Sequence, residues 1–251
     1  MKSLSVREVS IGEGKPKIVV SIFSETKEEL IADAMSVLDL PIDIVEWRAD
    51  WFKDVTDNQA VKDVLKNLRK TLGSIPLIFT LRTSDEGGEI VVDERAYLDI
   101  NLNVIQSGFI DIVDIEVFRG DDIAKSLIEL AGENQVKTIG SFHDFLKTPS
   151  LDTLFLIIHK MQNLGVDLSK IAVMPETKKD VITLLEASLR IKEEVADRPF
   201  VIIGMGKLGI ITRMAGGLFG TSITFGAIEK PSAPGQVEVN RLADLLELFA
   251  D

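Results

Sequence analysis

Eight short apolar segments, rich in β-branched residues, recur along the chain and alternate with amphipathic segments. Short apolar runs predict buried strands, and apolar residues spaced three or four positions apart predict helices. The predicted strands cover residues 18–23, 44–47, 77–81, 110–117, 136–139, 171–174, 200–203 and 223–225. The predicted helices cover residues 26–40, 58–72, 94–107, 121–131, 151–164, 178–195 and 236–249, with a weaker, Gly-rich helix within 210–218.

This alternation in a chain of 251 residues predicts a (β/α)8 TIM barrel that forms a single domain, residues 1–251. A doubly wound open sheet is the alternative, but it normally has about five or six strands and a switch point, which the even spacing does not suggest. Residues 6–18 contain Gly12 and Gly14 between two alternating stretches. They predict an N-terminal β-hairpin, which we expect to plug the lower mouth of the barrel.

Composition excludes several classes of protein. With 45% hydrophobic and 27% charged residues the chain can bury a large core, and a net charge of −12 disfavours nucleic acid as a partner. Cysteine is absent, which excludes disulfides and thiolate zinc sites and fits a reducing compartment. We expect no secretory signal, no membrane span and no metal, because the N-terminus lacks a long apolar run, no stretch of 18 apolar residues occurs and only two histidines are present.

Charged residues follow the second, third and fourth predicted strands. Side chains two positions apart share one face of a strand, and the active site of a barrel lies at the carboxyl ends of its strands. We therefore expect a polar substrate in that mouth, although the charges could instead lie on solvated loops. The three inward faces are Ile44, Glu46 and Arg48; Ile78, Thr80 and Arg82; and Ile112, Asp114 and Glu116.

Of the two histidines, His143 follows the fifth predicted strand, where an imidazole could transfer protons near neutral pH. His159 lies within a predicted helix, where we expect a surface or packing role. Lys170 opens the sixth strand and shares a face with Ala172, whose small side chain leaves room for the lysine stem. An interior lysine is a candidate imine-forming nucleophile, but this position could also place a solvated lysine at the lower rim.

The segment 204–209 matches the dinucleotide pattern G-x-G-x-x-G. We reject that function, because a dinucleotide fold needs a further strand ending in an acidic residue about 20 positions later, and only one short strand remains. We expect the glycines to let a loop bring Arg213 over the mouth, where a guanidinium can bind a carboxylate through two hydrogen bonds. The loop 229–236 has the composition of a mobile lid carrying Ser232 and Gln236, or of a simple surface connection.

Together, five segments resemble the type I 3-dehydroquinate dehydratases, a Schiff-base family of the shikimate pathway. The resemblance covers residues from about 17 to the C-terminus, and the segments stand in the family's order at the predicted strand ends. Thr212 occupies a position where the family pattern has serine, and Ile203 one where methionine is frequent. The five segments are 45–50 (Val-Glu-Trp-Arg-Ala-Asp), 79–83 (Phe-Thr-Leu-Arg-Thr) with 86–88 (Glu-Gly-Gly), 141–145 (Ser-Phe-His-Asp-Phe), 170–175 (Lys-Ile-Ala-Val-Met-Pro) and 232–236 (Ser-Ala-Pro-Gly-Gln).

The resemblance implies that Lys170 forms an imine with the ketone of 3-dehydroquinate, that His143 moves the protons and that Glu86 orients His143. It also implies 3-dehydroshikimate and water as products, no cofactor, and a cytoplasmic homodimer. The implied substrate-binding residues are Arg213, Gln236 and Ser232 at the carboxylate, Glu46, Arg48 and Arg82 at the hydroxyls, and Ser21.

The chemistry of this elimination agrees with the residues present. A protonated imine on Lys170 acidifies the proton beside the former ketone, so neither metal nor flavin is needed. The lysine must be neutral to attack; Arg48, Arg82 and Arg213 favour the neutral amine, whereas Glu46, Glu86 and Glu116 oppose it, and the sequence leaves the balance open. Two alternatives remain: a class I aldolase acting on a phosphorylated sugar, and a non-catalytic metabolite-binding barrel.

Overall fold

The computed structural model describes residues 2–249 and shows a curled parallel sheet surrounded by helices. A two-stranded antiparallel sheet of β1 (Leu4–Val6) and β2 (Val9–Ile11) precedes it. The strands of the main sheet are β3 (Lys17–Ile22), β4 (Ile44–Arg48), β5 (Leu77–Thr80), β6 (Ile112–Glu116), β7 (Lys137–Asp144), β8 (Leu168–Val173), β9 (Phe200–Gly204), β10 (Ile223–Ala227) and β11 (Val237–Glu238). The helices are α1 (Lys27–Ser36), α2 (Asn58–Leu72), α3 (Glu94–Ile105), α4 (Asp121–Glu133), α5 (Leu151–Leu164), α6 (Lys178–Glu194), α7 (Gly206–Met214) and α8 (Val239–Glu247).

The main sheet has the order β11-β10-β3-β4-β5-β6-β7-β8-β9, and all its pairings are parallel. Its two sides meet where the backbone N–H of Ser222 donates to the carbonyl of Phe200 at 2.9 Å, between β9 and β10. Strands β3 to β10 correspond in order to the eight predicted strands, which confirms the (β/α)8 barrel. The short β11 extends the sheet beyond them.

Local sequence signals explain where the helices begin and end. At α2, the carboxylate of Asp57 accepts hydrogen bonds from Gln59 N at 2.8 Å and Ala60 N at 3.2 Å, two amides that have no partner within the first turn. The helix ends at Gly73, whose φ of +57° lies in the left-handed region that glycine adopts without strain. The side chains that α2 buries recur at helical spacing and attach it to the sheet: Val61, Val64, Leu65, Leu68 and Leu72.

Inward-facing side chains fill the barrel in layers along its axis. The layer nearest the amino ends of the strands is apolar and consists of Val19, Ile44, Ile78, Ile112, Ile139, Leu168, Val201 and Ile223. The next layer, two residues further along each strand, contains Ser21, Glu46, Thr80, Asp114, Ser141, Lys170, Ile203 and Phe225. The interior therefore changes from apolar to charged within one layer, and the charged side faces the carboxyl ends.

The N-terminal hairpin closes the apolar end of the barrel. Leu4, Val6 and Ile11 are buried and belong to the same cluster as the apolar layer, so the expected plug is confirmed. The position predicted for the hairpin, residues 6–18, is wrong. The chain reverses after Val6, before Gly12 and Gly14, and Arg7 in the turn has a φ of +52°. No glycine marks that turn, which is why the sequence misplaced it.

The helices of the described residues are too short or too polar to cross a lipid bilayer.

Replacing Ile11 by alanine tests the plug, because this side chain is only 1% exposed and fills the lower mouth. We expect Ile11→Ala to lower the free energy of unfolding by about 2–5 kcal/mol, the usual cost of truncating a buried isoleucine. Urea unfolding followed by circular dichroism measures the loss. The control is Leu156→Ala, at a side chain that is 68% exposed and should tolerate the change. Equal stability of the two variants would contradict a packing role for the hairpin.

Candidate active site

A cavity opens at the carboxyl ends of the barrel strands and brings together nearly all of the predicted site residues. Nine of the ten line it, and the tenth, Ser21, is buried and donates to Glu46 Oε2 at 2.5 Å. The lining also contains residues that the sequence did not single out. The predicted residues in the lining are Glu46, Arg48, Arg82, Glu86, His143, Lys170, Arg213, Ser232 and Gln236; the others are Gly87, Phe145, Ala172, Ile203, Met205, Phe225 and Ala233.

Lys170 lies inside the barrel rather than at its lower rim. Strand β8 begins at Leu168, earlier than predicted, so Lys170 stands in the second inward layer with Ala172 above it. Its side chain is 6% exposed, and Nζ lies 3.1 Å from Asp114 Oδ2 and 3.6 Å from Glu46 Oε1. The alternative of a solvated lysine is thereby excluded. Of the three glutamates expected to oppose a neutral amine, only Glu46 forms an ion pair with it within 4.0 Å; Asp114 forms the other.

Arg82 is the central cation of the cavity floor. Its Nη2 donates to Asp114 Oδ1 at 2.7 Å, and its Nη1 donates to Glu116 Oε1 at 3.1 Å and to Ser141 Oγ at 3.0 Å. Burial disfavours the guanidinium cation, but the surrounding carboxylates outweigh that cost and raise the pKa of Arg82. Burial also opposes ionisation of Asp114, yet the charges of Arg82 and Lys170 lower the pKa of Asp114 to about 2. Asp114 thus joins the two cations.

Glu46 is held by two hydroxyls and one cation. Ser21 Oγ donates to its Oε2 at 2.5 Å and Thr80 Oγ1 to its Oε1 at 2.9 Å, and Lys170 lies on the same side. These three side chains come from β3, β5 and β8, so Glu46 links strands across the barrel. Its carboxylate is fixed where it can accept from a ligand hydroxyl.

His143 and Glu86 form a buried pair at the rim of the cavity. The histidine Nδ1 lies 2.8 Å from Glu86 Oε2, and the same oxygen accepts from the backbone N–H of His143 at 3.1 Å. Burial, reinforced by the charges of Arg82, Lys170 and Arg48, lowers the pKa of His143 well below its usual value, so the ring is held neutral. Burial also raises the pKa of Glu86 to about 8. A neutral imidazole oriented by a carboxyl group can act as a general base.

A tight turn after β5 carries Glu86 to His143. Residues 84–86 form a single 3-10 turn, Gly88 N donates to the carbonyl of Thr83 at 2.8 Å, and Gly87 follows with a φ of +80°. A side chain at Gly87 would place its Cβ 2.2 Å from the ring of Phe145, and one at Gly88 would lie 2.0 Å from the carbonyl oxygen of Arg82. Both glycines are needed for this close approach.

Arg48 is fixed by a bidentate ion pair with Asp50. The Nε and Nη2 atoms of Arg48 each lie 2.8 Å from a carboxylate oxygen of Asp50, and both residues are buried. Asp50 also accepts from the backbone N–H of Glu89 at 3.1 Å, which ties the end of β4 to the loop that carries Glu86. The guanidinium is therefore oriented before any ligand arrives.

Arg213 differs from the other arginines of the cavity because no carboxylate within residues 2–249 lies within 4.0 Å of it. Its side chain is buried, Nη2 donates to the carbonyl of Pro234 at 3.2 Å, and Nε has no hydrogen-bond partner within that range. Burial lowers the pKa of Arg213 to about 10. The prediction that a loop presents Arg213 is wrong, since it occupies the last turn of α7. A buried guanidinium without a counter-ion is suited to bind an anionic ligand.

The Gly-rich segment 204–209 brings α7 against β9 instead of binding a dinucleotide. A Cβ at Gly209 would lie 2.2 Å from the backbone of Gly204, so only glycine permits this contact. The hydroxyl of Thr212 accepts from Gly204 N at 2.8 Å and donates to the carbonyl of Gly209 at 2.7 Å. Thr212 thus stabilises the helix that bears Arg213, and the other departure from the family pattern, Ile203, keeps an apolar cavity wall.

The loop between β10 and β11 covers the cavity. Its Pro234 carbonyl accepts from Gly206 N at 3.0 Å as well as from Arg213. Ser232 and Gln236 bind each other, with Gln236 Nε2 donating to Ser232 Oγ at 3.0 Å, and Ser232 Oγ donates to Ser21 Oγ at 3.1 Å. Ile228 packs against the core at the start of the loop, whereas Ser232, Pro234 and Gln236 are held by hydrogen bonds, which suits a segment that must open for a ligand. It stays a predicted lid.

Three buried carboxylates of the site were not chosen from the sequence as site residues: Asp50, Asp114 and Glu116. Asp114 and Glu116 could have been predicted as site residues, because the alternation of side chains along β6 placed both on the inward face. His159 is exposed on α5, as expected for a surface residue. Among residues 2–249 no cluster of three or more His, Asp or Glu side chains has a metal-binding arrangement, since the interior carboxylates face arginines, hydroxyls and Lys170.

Comparisons with known proteins point to one family. A family profile described as type I 3-dehydroquinase matches residues 18–251. The chain is 42% identical to the 3-dehydroquinate dehydratase of Salmonella typhimurium, with 99% of each chain covered. It is similar to the structure of the type I enzyme of Clostridium difficile with covalently modified comenic acid, at 40% identity and a TM-score of 0.96 over 99% of this chain and 98% of that one. A Geobacillus kaustophilus 3-dehydroquinate dehydratase has a TM-score of 0.95 at 34% identity over 99% and 96% of the two chains.

The unpaired charge of Arg213 predicts a gain in stability on its removal. We expect Arg213→Met to raise the free energy of unfolding of the unliganded protein by about 1 kcal/mol or more, because the buried cation is replaced by an apolar side chain of similar length. The contrasting variant is Arg82→Met, which leaves Asp114 and Glu116 without their cation and should lower the free energy by about 3–5 kcal/mol. Thermal unfolding without ligand compares the two, and a loss of stability in Arg213→Met would refute the prediction.

Proposed function

Because the chain belongs to the type I 3-dehydroquinase family, we propose that it is a carbon–oxygen lyase that dehydrates 3-dehydroquinate in the shikimate pathway through an imine on Lys170. The observation that carries the mechanism is the buried amine of Lys170 in the same cavity as the His143–Glu86 pair and Arg213, which has no carboxylate partner among the described residues. A nucleophile, a proton carrier and an anion-binding group suit the elimination of water from a hydroxy keto acid.

The first step forms the imine. The neutral amine of Lys170 attacks the ketone carbon to give a carbinolamine. Its hydroxyl takes up one proton from water in the cavity and leaves as water, which gives a protonated imine whose nitrogen stands where the amine stood. Asp114 and Glu46 already contact that nitrogen, and a carboxylate in this position stabilises the iminium cation. Lys170 gives up its own proton to water in the open cavity before attack, because the lowered pKa of Asp114 makes that neighbouring carboxylate a poor proton acceptor.

Proton transfer then proceeds at His143. The protonated imine withdraws electrons from the neighbouring carbon, and the neutral His143 ring removes a proton from that carbon to give an enamine. The enamine electrons expel the hydroxyl group one carbon further, and the same histidine returns its proton to the departing oxygen. Hydrolysis of the conjugated imine releases 3-dehydroshikimate and restores Lys170. Glu86 stabilises the protonated ring between these two transfers through its contact with Nδ1.

Substrate binding divides between the two sides of the cavity. The substrate carboxylate binds Arg213, whose guanidinium has no acidic partner within residues 2–249, while Ser232 and Gln236 close over it from the loop. Arg48, Arg82 and Glu46 meet the hydroxyl groups, with Ser21 behind Glu46. A phosphorylated sugar suits this cavity less well, because Arg213 is its only guanidinium within the described residues that has no carboxylate partner.

We further propose a single-domain chain that forms a homodimer in the cytoplasm. The absence of cysteine supports a reducing compartment. The neighbouring helices α6 and α7 expose Ile182, Leu189, Leu208 and Ile211, and apolar side chains that self-association would bury support a homodimer.

Borohydride trapping tests the covalent step. Incubation with 3-dehydroquinate and borohydride should reduce the imine, inactivate the protein and add one ligand mass per chain to the peptide that contains Lys170, because this amine alone is proposed to meet the ketone in a buried cavity. Peptide mass spectrometry locates the label. Lys170→Ala should take up none and lack activity, whereas Lys207→Ala, at an exposed lysine of α7, should label normally. A label on another lysine, or turnover without adduct, would disprove the mechanism.

Replacing His143 separates proton transfer from imine formation. We expect His143→Ala to lower kcat at least about a hundredfold, the lower range for loss of a general acid–base group, while borohydride still traps an adduct on Lys170. Absorbance of the conjugated product measures kcat. The matched control is His159→Ala, whose side chain is exposed on α5 and should keep full activity. If His159→Ala were the inactive variant, the assignment of the proton carrier would be wrong.

A further inference from the structure

We propose that Glu116 is a positioning residue of this reaction, which holds the turn that presents Glu86 to His143. The inference rests on the proposed function and adds a residue that does not touch the cavity. Glu116 is absent from the cavity lining, and its side chain is fully buried behind Arg82 and the β5–α3 turn.

The carboxylate of Glu116 binds Thr83, three residues past the end of β5, at two points. Its Oε1 accepts from the backbone N–H of Thr83 at 2.8 Å, and its Oε2 accepts from the Thr83 hydroxyl at 2.7 Å. Oε1 also accepts from Arg82 Nη1 at 3.1 Å. Thr83 is the cap residue from which the 84–86 turn begins, so Glu116 fixes the direction in which the turn departs.

The turn then transmits that direction to the catalytic pair. Thr83 accepts at its carbonyl from Glu86 N at 3.0 Å and from Gly88 N at 2.8 Å, so the backbone of Thr83 anchors both sides of the turn. Glu86 ends this single turn and reaches His143 Nδ1 at 2.8 Å. A continuous series of hydrogen bonds therefore runs from Glu116 through Thr83 and Glu86 to the ring of His143. A shift of about 1 Å in such a geometry can cost about a hundredfold in rate.

The burial of the Glu116 carboxylate is unfavourable unless strong polar partners stabilise it. A carboxylate removed from water needs several strong partners to offset its lost hydration, and Glu116 has Arg82 and Thr83, with Arg119 Nη1 at 3.7 Å. The hydroxyl of Tyr97 accepts from the backbone N–H of Glu116 and fixes the residue from α3. Every polar group around the carboxylate thus contributes to its orientation toward Thr83.

Glu116 also affects the charge balance at the pair. The groups that face Glu86 are Arg82 at 3.5 Å and His143 at 2.8 Å, with the charges of Glu116 and Asp114 acting from β6. Negative charge on Glu116 raises the pKa of Glu86. Removing that charge lets the pair release its proton at lower pH, so the acid limb of the kcat profile should move to lower pH.

Strand β6 supplies a matched control at its opposite end. Asp111 precedes the strand at the amino end, where its carboxylate accepts from Leu77 N at 2.8 Å and from Arg69 Nη2 at 2.6 Å. Asp111 therefore accepts from a backbone N–H and from an arginine, as Glu116 does, but on the side of the barrel away from the cavity. Asp111→Asn should reduce stability without changing the pH profile.

The test compares kcat, KM, pH profiles and borohydride labelling in wild type, Glu116→Gln and Asp111→Asn. We expect Glu116→Gln to lower kcat about ten- to a hundredfold, with KM changed less than about threefold, labelling of Lys170 retained and the acid limb moved to lower pH. Thr83→Val breaks the same contact from the other partner at nearly constant volume, and it should act in the same direction if Glu116→Gln does not fold.

The outcomes separate this inference from the proposed function. A wild-type protein without turnover or adduct would overturn both. With an active wild type, an unchanged kcat and profile in Glu116→Gln would overturn the positioning role alone. Labelling and turnover that fall in parallel, as expected of a general structural defect, would overturn it as well, and so would Asp111→Asn showing the same shift in its profile.

Discussion

The positive charge of Arg82 is buried at the centre of the barrel, and the surrounding carboxylates are needed to stabilise it there. Asp114, Glu116 and Glu86 approach its guanidinium at 2.7, 3.1 and 3.5 Å. Asp114 in turn holds Lys170. Because an unpaired buried charge costs several kcal/mol, about 3–5 kcal/mol where a partner is removed, these residues cannot be exchanged independently. The upper interior is therefore a mutually dependent charge network, and the apolar layer with its hairpin plug supplies the packing that stabilises the barrel beneath it.

Arg213 is the exception that gives the network a function. Its neighbours in the closed loop are neutral. The Pro234 carbonyl accepts one hydrogen bond from Arg213, and Ser232 and Gln236 bind each other instead of the guanidinium. In the described structure the interior ion pairs of Lys170 and Arg82 are complete, whereas Arg213 has no acidic partner. A ligand carboxylate would provide the missing charge and give the loop further contacts, so binding and loop closure are expected to support each other.

Local patterns predicted the barrel, and local patterns together with the family resemblance selected ten residues, of which nine line one cavity. The alternation of side-chain direction along β4, β5 and β6 predicted that Glu46, Arg82 and Asp114 face the barrel interior. Three details required long-range contacts. The hairpin turn at Arg7 carries no glycine signal, and the start of β8 depends on pairing with β7. The position of Arg213 on α7 depends on a helix that the Gly-rich composition hides, since glycine there serves the close approach to β9 rather than a loop.

The two ends of the parallel strands differ in the backbone groups they leave unpaired, and this difference explains why the chemistry lies at one end. At the amino ends the free groups are N–H donors, and an aspartate immediately before β4, β6 and β8 accepts from the preceding strand. These bonds are Asp43 to Ile18 N at 2.7 Å, Asp111 to Leu77 N at 2.8 Å and Asp167 to Thr138 N at 2.9 Å. Their carboxylates are thereby engaged in the fold. At the carboxyl ends the free backbone groups are carbonyls, which need donors rather than acceptors. Side chains of both signs can there pair with one another, and Glu116 has to reach the N–H of Thr83, three residues beyond β5, to act in the same way. The amine of Lys170, which is paired with carboxylates, and the guanidinium of Arg213, which has no acidic partner within residues 2–249, both line the cavity and remain accessible to a ligand that enters the mouth.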